Sequence, residues 1–458
     1  MGFKYTGNSS HHSERVLGRD LALLVARQQK RLGMEHETAF NMASSNIRFG
    51  AGATREIGME LADMGVKSVL VVTDPNLARL GVTDPLLACL EDEHIRHALY
   101  SGVQVEPTDA SLKRAIDFAR DKPVDCYIAM GGGSTIDTAK AINLYNTYPA
   151  DLLDYVNAPI GKGKPVPGRL KPLIALPTTA GTGSETTGVL IFDLVDMHAK
   201  TGIASLALKP TLGILDPLNT ATLPPQVAAS TGLDVLTHAA ESFTAIPYNQ
   251  RPKPERPLLR PTYQGSNPIS DTWSLEALRI MAEYLPRAVR NPRDEEARGQ
   301  MLLAASYAGM GFGNAGVHLA HGMSYPVSGM VRDYRPDGYL VDHAMVPHGF
   351  SVVLNAPAVF RFTAAACPER HLIVAEALGA DVSGARPEDA GEILANRIIE
   401  FMKALGVPNG LSGVGFAKDD IPNLVAGTLP QHRVTKLSPI PVRETELTAL
   451  FEDAMTYW

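Results

Sequence analysis

The sequence predicts an α/β domain built on a parallel sheet, followed by an all-helical domain. Three observations carry this. Short β-rich runs alternate with helical patterns from residue 45 to 223, which argues strands joined by crossover helices. After "LPPQVAAS" (223–230) strand signals fade and long helical patterns take over, as at 270–291 and 386–406. The chain has 458 residues, too many for one ordinary core. The expected division is an extension over 1–44, an α/β domain over 45–223 and a helical domain over 224–458.

The elements follow in order. Residues 13–32 suit an amphipathic helix carrying Arg15, Arg19, Arg27, Lys30 and Arg31. A mitochondrial presequence has such a face but is poor in acids, and Glu14 and Asp20 favour an ordinary helix. "SVLVVTD" (68–74) is a β-rich run ending in a turn. "DCYIAMGGGS" (125–134) is another, with a helical pattern from Thr135 to Tyr145. "PLIALPTT" (172–179), "TGVLIFDL" (187–194) and "LGILDP" (212–217) read as further strands of the alternating unit. The proline-rich stretch 246–268, with Arg251, Arg256 and Arg260, reads as a long loop, either functional or a solvated linker.

Composition excludes several classes. The net charge of −7 offers no basic field for nucleic acid or an anionic membrane. No apolar run reaches the roughly 18 residues of a membrane span. Cys89, Cys126 and Cys367 are too scattered for a metal knuckle or a disulfide framework. That suits a reducing compartment, the cytoplasm, with the mitochondrial matrix as the alternative.

"MGGGSTIDTAK" (130–140) places three glycines where a strand ends and a helix begins. There the backbone can approach an anion and the helix end offers free N–H groups, which suits a pyrophosphate. It is not a GxGxxG fingerprint, and a plain glycine turn is an equal reading. "PTTAGTGSETT" (177–187) is a second hydroxyl-bearing loop after a strand. Asp74 could accept a hydrogen bond from a ribose 2′-hydroxyl and would repel a 2′-phosphate, or could simply cap a helix.

Asp234 and His238 stand four residues apart in "STGLDVLTHAAESF" (230–243), so both face one way on a helix. Alone they suit a buried hydrogen-bonded couple as well as two ligands. "HLAHGMSYP" (318–326) adds His321 near the end of a helical pattern, and "VPHGF" (346–350) adds His348 at the start of the next. One carboxylate and three imidazoles suit Fe²⁺ or Zn²⁺ with an open position. His318 is either a neighbour of the ligands, substrate-facing, or a satisfied core histidine, and His343 is treated likewise. A cation beside a dinucleotide would lower the pKa of an alcohol and ease hydride transfer to the nicotinamide.

Taken together, GGGSTIDTAK, PTTAGTGSETT, GLDVLTHAAES, AHGMSYP and PHG resemble the iron-dependent (group III) alcohol dehydrogenases, from about Asn46 to the C-terminus. The resemblance implies a Rossmann-like dinucleotide-binding domain and a helical metal-binding domain, the dehydroquinate synthase-like fold, with the metal between them. It implies a metal held by Asp234, His238, His321 and His348. It implies a dinucleotide held by Asp74, Gly131, Gly132, Gly133, Ser134, Asp137, Thr178, Thr179, Thr182 and Lys200. A homo-oligomer is also implied.

Many members carry a second histidine four residues after the third ligand; here that position is Tyr325. A tyrosine hydroxyl can bond substrate but relays protons poorly at neutral pH. Tyr325 and His318 are the expected substrate-side residues. "NMASSNIRFG", "APIGKGKPV", "RPTYQGSNPISD", "GFGNAGVHLAHGMSYPVSG" and "PQHRVTKLSP" resemble a branch of that family that passes hydride from a hydroxyacid to an oxoacid. That branch implies oxidation of 4-hydroxybutyrate to succinic semialdehyde coupled to reduction of 2-oxoglutarate to D-2-hydroxyglutarate. It also implies Fe²⁺ (or Zn²⁺) and a tightly bound NAD rather than NADP. The alternative is an NAD-dependent dehydrogenase of a small alcohol or hydroxyacid. Carboxylate substrates call for a cation, with Arg251, Arg256, Arg260, Lys162, Lys164, Arg332 and Arg335 as candidates.

Overall fold

The computed structural model describes residues 35–197 and 199–458; the helix expected at 13–32 lies outside them. Six strands form one parallel sheet: β1 (Asn46–Phe49), β2 (Ser68–Val72), β3 (Arg96–Tyr100), β4 (Cys126–Gly131), β5 (Leu173–Pro177) and β8 (Leu212–Leu215). Their spatial order is β1-β8-β5-β4-β2-β3. Successive side chains in a strand point to opposite faces. Val69, Val71, Cys126, Ile128 and Met130 therefore pack with helices α1 (Ile57–Asp63) and α2 (Asp84–Asp92). Leu70, Val72, Tyr127 and Ala129 pack on the other face with α3 (Asp109–Arg120) and α4 (Gly133–Thr147). Burial on both faces explains why these strands read as continuous apolar runs.

One expectation is corrected. The run at 187–194 does not join the parallel sheet. It forms β6 (Val189–Leu194), which pairs antiparallel with β7 (Ala199–Ala204) in a separate ribbon. The short link between them, occupied by a turn at Val195–Met197, is far too brief for a parallel crossover.

The second half is helical: α5 (Pro225–Thr244), α6 (Pro268–Arg290), α7 (Glu295–Ala315), α8 (Leu319–Gly329), α9 (His348–Val353) and α10 (Ala390–Ala404) position the site, with shorter helices around them. From Ala229 onward almost every residue of α5 is buried, so this helix threads the middle of the domain. His321 was expected near a helix end, and instead occupies the first turn of α8. Gly316, at φ 96°, terminates α7 in a conformation that only glycine adopts cheaply. The chain then restarts as α8. The proline-rich stretch is ordered. It holds single turns at Tyr248–Gln250 and Pro257–Leu259, and Arg260 grips Glu37 through two hydrogen bonds of 2.9 and 3.1 Å. Among the described residues no helix is long and apolar enough to cross a membrane.

Candidate active site in the cleft

The carboxyl ends of β2, β4 and β5 lie side by side because the three strands are adjacent and parallel. Asp74, the turn Gly131–Ser134 and the pair Thr178 and Thr179 are thereby brought together. Asp74, Gly132, Gly133, Ser134, Thr178, Thr179 and Thr182 line a cavity of ≈ 280 Å³ that extends to Asp234 and His348. Asp74 also caps a helix: its Oδ1 accepts from the N–H groups of Asn76 and Leu77 at 2.8 and 3.1 Å. The capping reading is met, and the residue lines the cavity as well. Gly132 has extended backbone and Gly133 begins α4, so the N–H groups of the first turn of α4 face the cavity side of the sheet.

Asp137 and Lys200 stand apart from this wall. Asp137 accepts from the Ser184 hydroxyl at 2.5 Å and the Ile191 N–H at 2.9 Å. It stitches α4 to the 177–187 loop and to β6. Lys200 is buried and donates to Glu106 at 2.6 Å and to Asp193 at 3.1 Å. Both border a second cavity of ≈ 110 Å³, together with His238, His321 and Tyr325. The two cavities share Glu106, Gly133, Ser134, Thr182 and His348. A molecule in one would abut a molecule in the other.

At that junction Asp234, His238, His321 and His348 converge, each offering a donor atom within 4.8 Å of the others. Asp234 Oδ1 is 3.6 Å from His321 Nε2 and 3.7 Å from His348 Nε2. Asp234 Oδ2 is 3.7 Å from His238 Nδ1. These spacings are too long for hydrogen bonds and close to the separation of about 3.4 Å expected of donors sharing one tetrahedral cation. Asp234 Oδ1 and His321 Nε2 are buried without a hydrogen-bond partner, a costly state unless a cation takes them up. Burial pushes His238 down to about 3, which holds it in the neutral form that ligates metals. Burial also works against charge on His321, yet Glu241 and Asp234 raise it to about 9. The cluster therefore demands positive charge, and the donor set fits a divalent transition metal.

One residue behind the cluster, Glu241, is not singled out by the sequence reading. Glu241 Oε2 bonds His321 Nδ1, and its Oε1 accepts from the Ala320 N–H at 2.6 Å. This carboxylate orients the imidazole and strengthens it as a donor. The spacing held the signal: Glu241 lies three residues after His238 and seven after Asp234 on α5, all on one helix face. His318, expected on the substrate side, is instead a buried neighbour of the ligands, because Glu241 and Thr244 hold its ring inside the helical domain. Its Nδ1 is 3.2 Å from Glu241, its Nε2 is 3.0 Å from the Thr244 hydroxyl, and it is fully buried. It does not reach either cavity. His343 is half-buried beside Asp342 and is not one of the converging donors.

Tyr325 does reach the smaller cavity, one turn beyond His321 on α8, and accepts a hydrogen bond of 2.5 Å from Arg433. None of the cations proposed from sequence for the substrate carboxylate lines this cavity. Arg251 is spent on the Tyr263 carbonyl and Arg260 on Glu37. Arg332 is spent on Asp420, and Lys162 and Lys164 on Asp154. Arg256 and Arg335 are exposed. The Pro-rich loop contributes an aromatic wall, Tyr263.

The description "Iron-containing alcohol dehydrogenase" matches residues 44–217, and "Fe-containing alcohol dehydrogenase family, C-terminal" matches residues 262–455. The chain belongs to the iron-containing alcohol dehydrogenase family. Among its family relatives, the mitochondrial hydroxyacid-oxoacid transhydrogenase of Bos taurus is 58% identical over 92% of this chain and 91% of its own length. The Homo sapiens protein of that name is 57% identical over 92% and 91%. Of solved structures in the family, 1,3-propanediol oxidoreductase superposes with a TM-score of 0.79 at 28% identity, covering 91% of this chain and 100% of that one. Sulfoacetaldehyde reductase from Bifidobacterium kashiwanohense, solved with NAD⁺, gives 0.74 at 26% identity, covering 91% and 98%.

The hydroxyl-bearing loop of this family member also hides an acid. Glu185 is 2% exposed, its Oε1 has no hydrogen-bond partner, and burial raises its carboxyl to about 7. An unfolded glutamate titrates near ~4.3. The folded state thus holds the proton more tightly, so stability is greatest below ~4.3 and falls as pH rises towards 7. Glu185→Gln is expected to remove this loss. The variant should be more stable than the wild type at pH 8, by roughly 4 kcal/mol and hence with a higher Tm, and differ much less at pH 5. Equal melting differences at both pH values would exclude an ionising Glu185 as the cause.

Proposed function

We propose that this chain is a hydroxyacid-oxoacid transhydrogenase, a metal-dependent oxidoreductase that oxidises 4-hydroxybutyrate to succinic semialdehyde and reduces 2-oxoglutarate to D-2-hydroxyglutarate. The observation that carries the reading is the junction of the two cavities at His348 and Gly133 beside the Asp234 cluster. High identity over nine-tenths of the chain to transhydrogenases supports it. Asp234, His238, His321 and His348 would hold Fe²⁺, with Zn²⁺ suited to the same donors. Asp74, Gly131, Gly132, Gly133, Ser134, Thr178, Thr179 and Thr182 would hold NAD.

When bound, the cation would polarise the substrate's hydroxyl or carbonyl oxygen, and the nicotinamide would accept and return the hydride. The chain's own residues do the rest. Glu241 fixes the His321 ring, and the stitching of Asp137 and Lys140 to the 177–187 loop keeps the cavity walls in register. Lys140 is wholly buried and donates to Ser184 at 2.6 Å and to the Val189 carbonyl at 2.7 Å. Asp74 keeps Oδ2 clear of its capping bonds, free to accept from a ribose 2′-hydroxyl, which favours NAD over NADP. The relatives' printed names favour the mitochondrion, and so the matrix over the cytoplasm.

The deciding experiment uses purified protein with no added nucleotide. Mixed with 4-hydroxybutyrate and 2-oxoglutarate, it is expected to form 2-hydroxyglutarate, detectable by mass spectrometry. If product forms only when NAD⁺ is supplied, and NADH accumulates with one alcohol, the chain is an ordinary NAD-dependent dehydrogenase of the family.

A further inference from the structure

Among the described residues, Arg433 is the one cation lining the smaller cavity that no carboxylate pairs with. Lys200, the other cation lining it, is held by Glu106 and Asp193. The two carboxylates lining the cavity are both engaged elsewhere, Glu106 by Lys200 and Asp137 by Ser184 and the Ile191 N–H. Arg433 Nη2 donates to the Tyr325 hydroxyl at 2.5 Å, and its guanidinium lies 5.1 Å from the Tyr263 ring centre. Its Nη1 is shielded from solvent and has no partner among the described residues. A guanidinium clamped in place with a dry, unused N–H is a receptor for an anion.

We propose that Arg433 is the carboxylate anchor for both substrates of the transhydrogenase. The proposal rests on the functional reading above and adds the reason one cavity serves two acids. In 4-hydroxybutyrate two methylenes separate the reacting carbon from the carboxylate. In 2-oxoglutarate two methylenes separate the keto carbon from the distal carboxylate. Succinic semialdehyde and 2-hydroxyglutarate keep the same spacing. A single fixed cation therefore presents the reacting carbon of all four molecules at the same place. Tyr325 sets that place. It follows His321 by one helical turn, about 6 Å along α8, so Arg433 stands a short chain's length from the Asp234 cluster.

The test uses holoenzyme carrying Arg433→Met or Arg433→Lys, with metal and nucleotide content measured for each. Binding of glutarate, a dicarboxylate without a reducible carbonyl, is followed by titration calorimetry. The Met variant is expected to bind glutarate roughly 10²–10³-fold more weakly than wild type, and the Lys variant to recover part of that loss. KM for 4-hydroxybutyrate and for 2-oxoglutarate should rise together with a smaller change in kcat. Preference for 4-hydroxybutyrate over 1-butanol as hydride donor should shrink by a similar factor. A Met variant that binds glutarate as the wild type does overturns the anchor; if that variant does not fold, wild-type affinity in the Lys variant does so. A wild type that uses both acids yet binds no glutarate overturns the anchor and leaves the transhydrogenase reading standing. A wild type that binds glutarate through Arg433 but makes no 2-hydroxyglutarate overturns the reading and keeps the anchor.

Discussion

Replacing His321 with alanine is expected to strip the cation from the protein and to abolish both half-reactions. The imidazole is one of four donors that crowd within 4.8 Å, and it is the one tied back to Glu241. Without it the cluster keeps two imidazoles and a carboxylate and loses its anchored corner. The cation's polarisation of the reacting oxygen is worth several kcal/mol, so turnover should fall by at least about 10³-fold. Metal content, measured by elemental analysis, should fall from one per chain to near zero. Glu241→Gln should give a milder version, with metal affinity down about 10–100-fold, because the ring remains but loses its carboxylate partner. A fully metallated, fully active His321→Ala protein would remove the cluster from the mechanism.

The second large effect is expected at the glycine turn. A Cβ on Gly133 would lie 2.6 Å from Thr182 Cγ2 and 2.8 Å from its Oγ1. Both residues line both cavities, so the collision must push the two loops apart where a pyrophosphate would sit against the first turn of α4. At Gly132 the nearest atom to a new Cβ is Thr179 Oγ1 at 3.3 Å, a contact a small shift relieves. Gly133→Ala is expected to cut the nucleotide released on denaturing the purified protein at least tenfold, and transhydrogenation without added NAD with it. Gly132→Ala should do less, and neither should change metal content. Equal nucleotide content in Gly133→Ala and wild type would exclude this turn as the cofactor cradle.

Much of this is legible in the amino-acid sequence alone. The apolar runs at 68–72, 126–131 and 173–177 read as strands because both faces of a parallel sheet are buried. Asp234 and His238 were paired by helical spacing alone. Harder to read were residues whose partners are remote in sequence. Arg433 meets Tyr325 across 108 residues, and nothing in "PQHRVTKLSP" distinguishes it from a surface arginine. Arg332 looked an equal candidate, and an ion pair with Asp420, 88 residues away, takes it out of play. Glu241 was within reach of the same spacing rule, but an acid on a helix more often faces water, and only burial marks it as a ligand's partner.

The sequence by itself determined the element types, the glycine turn, the helix that carries two donors, and the family. These depend on short-range periodicity and on residue chemistry at fixed offsets, which a chain displays without folding. The tertiary structure alone decided that β6 leaves the parallel sheet, that His321 opens α8, that His318 faces inward, and that Arg433 lines the cavity. Each of those depends on which distant segments exclude water from one another. Burial is what turns an ordinary histidine or arginine into a donor or a receptor, and burial is a property of the packed chain.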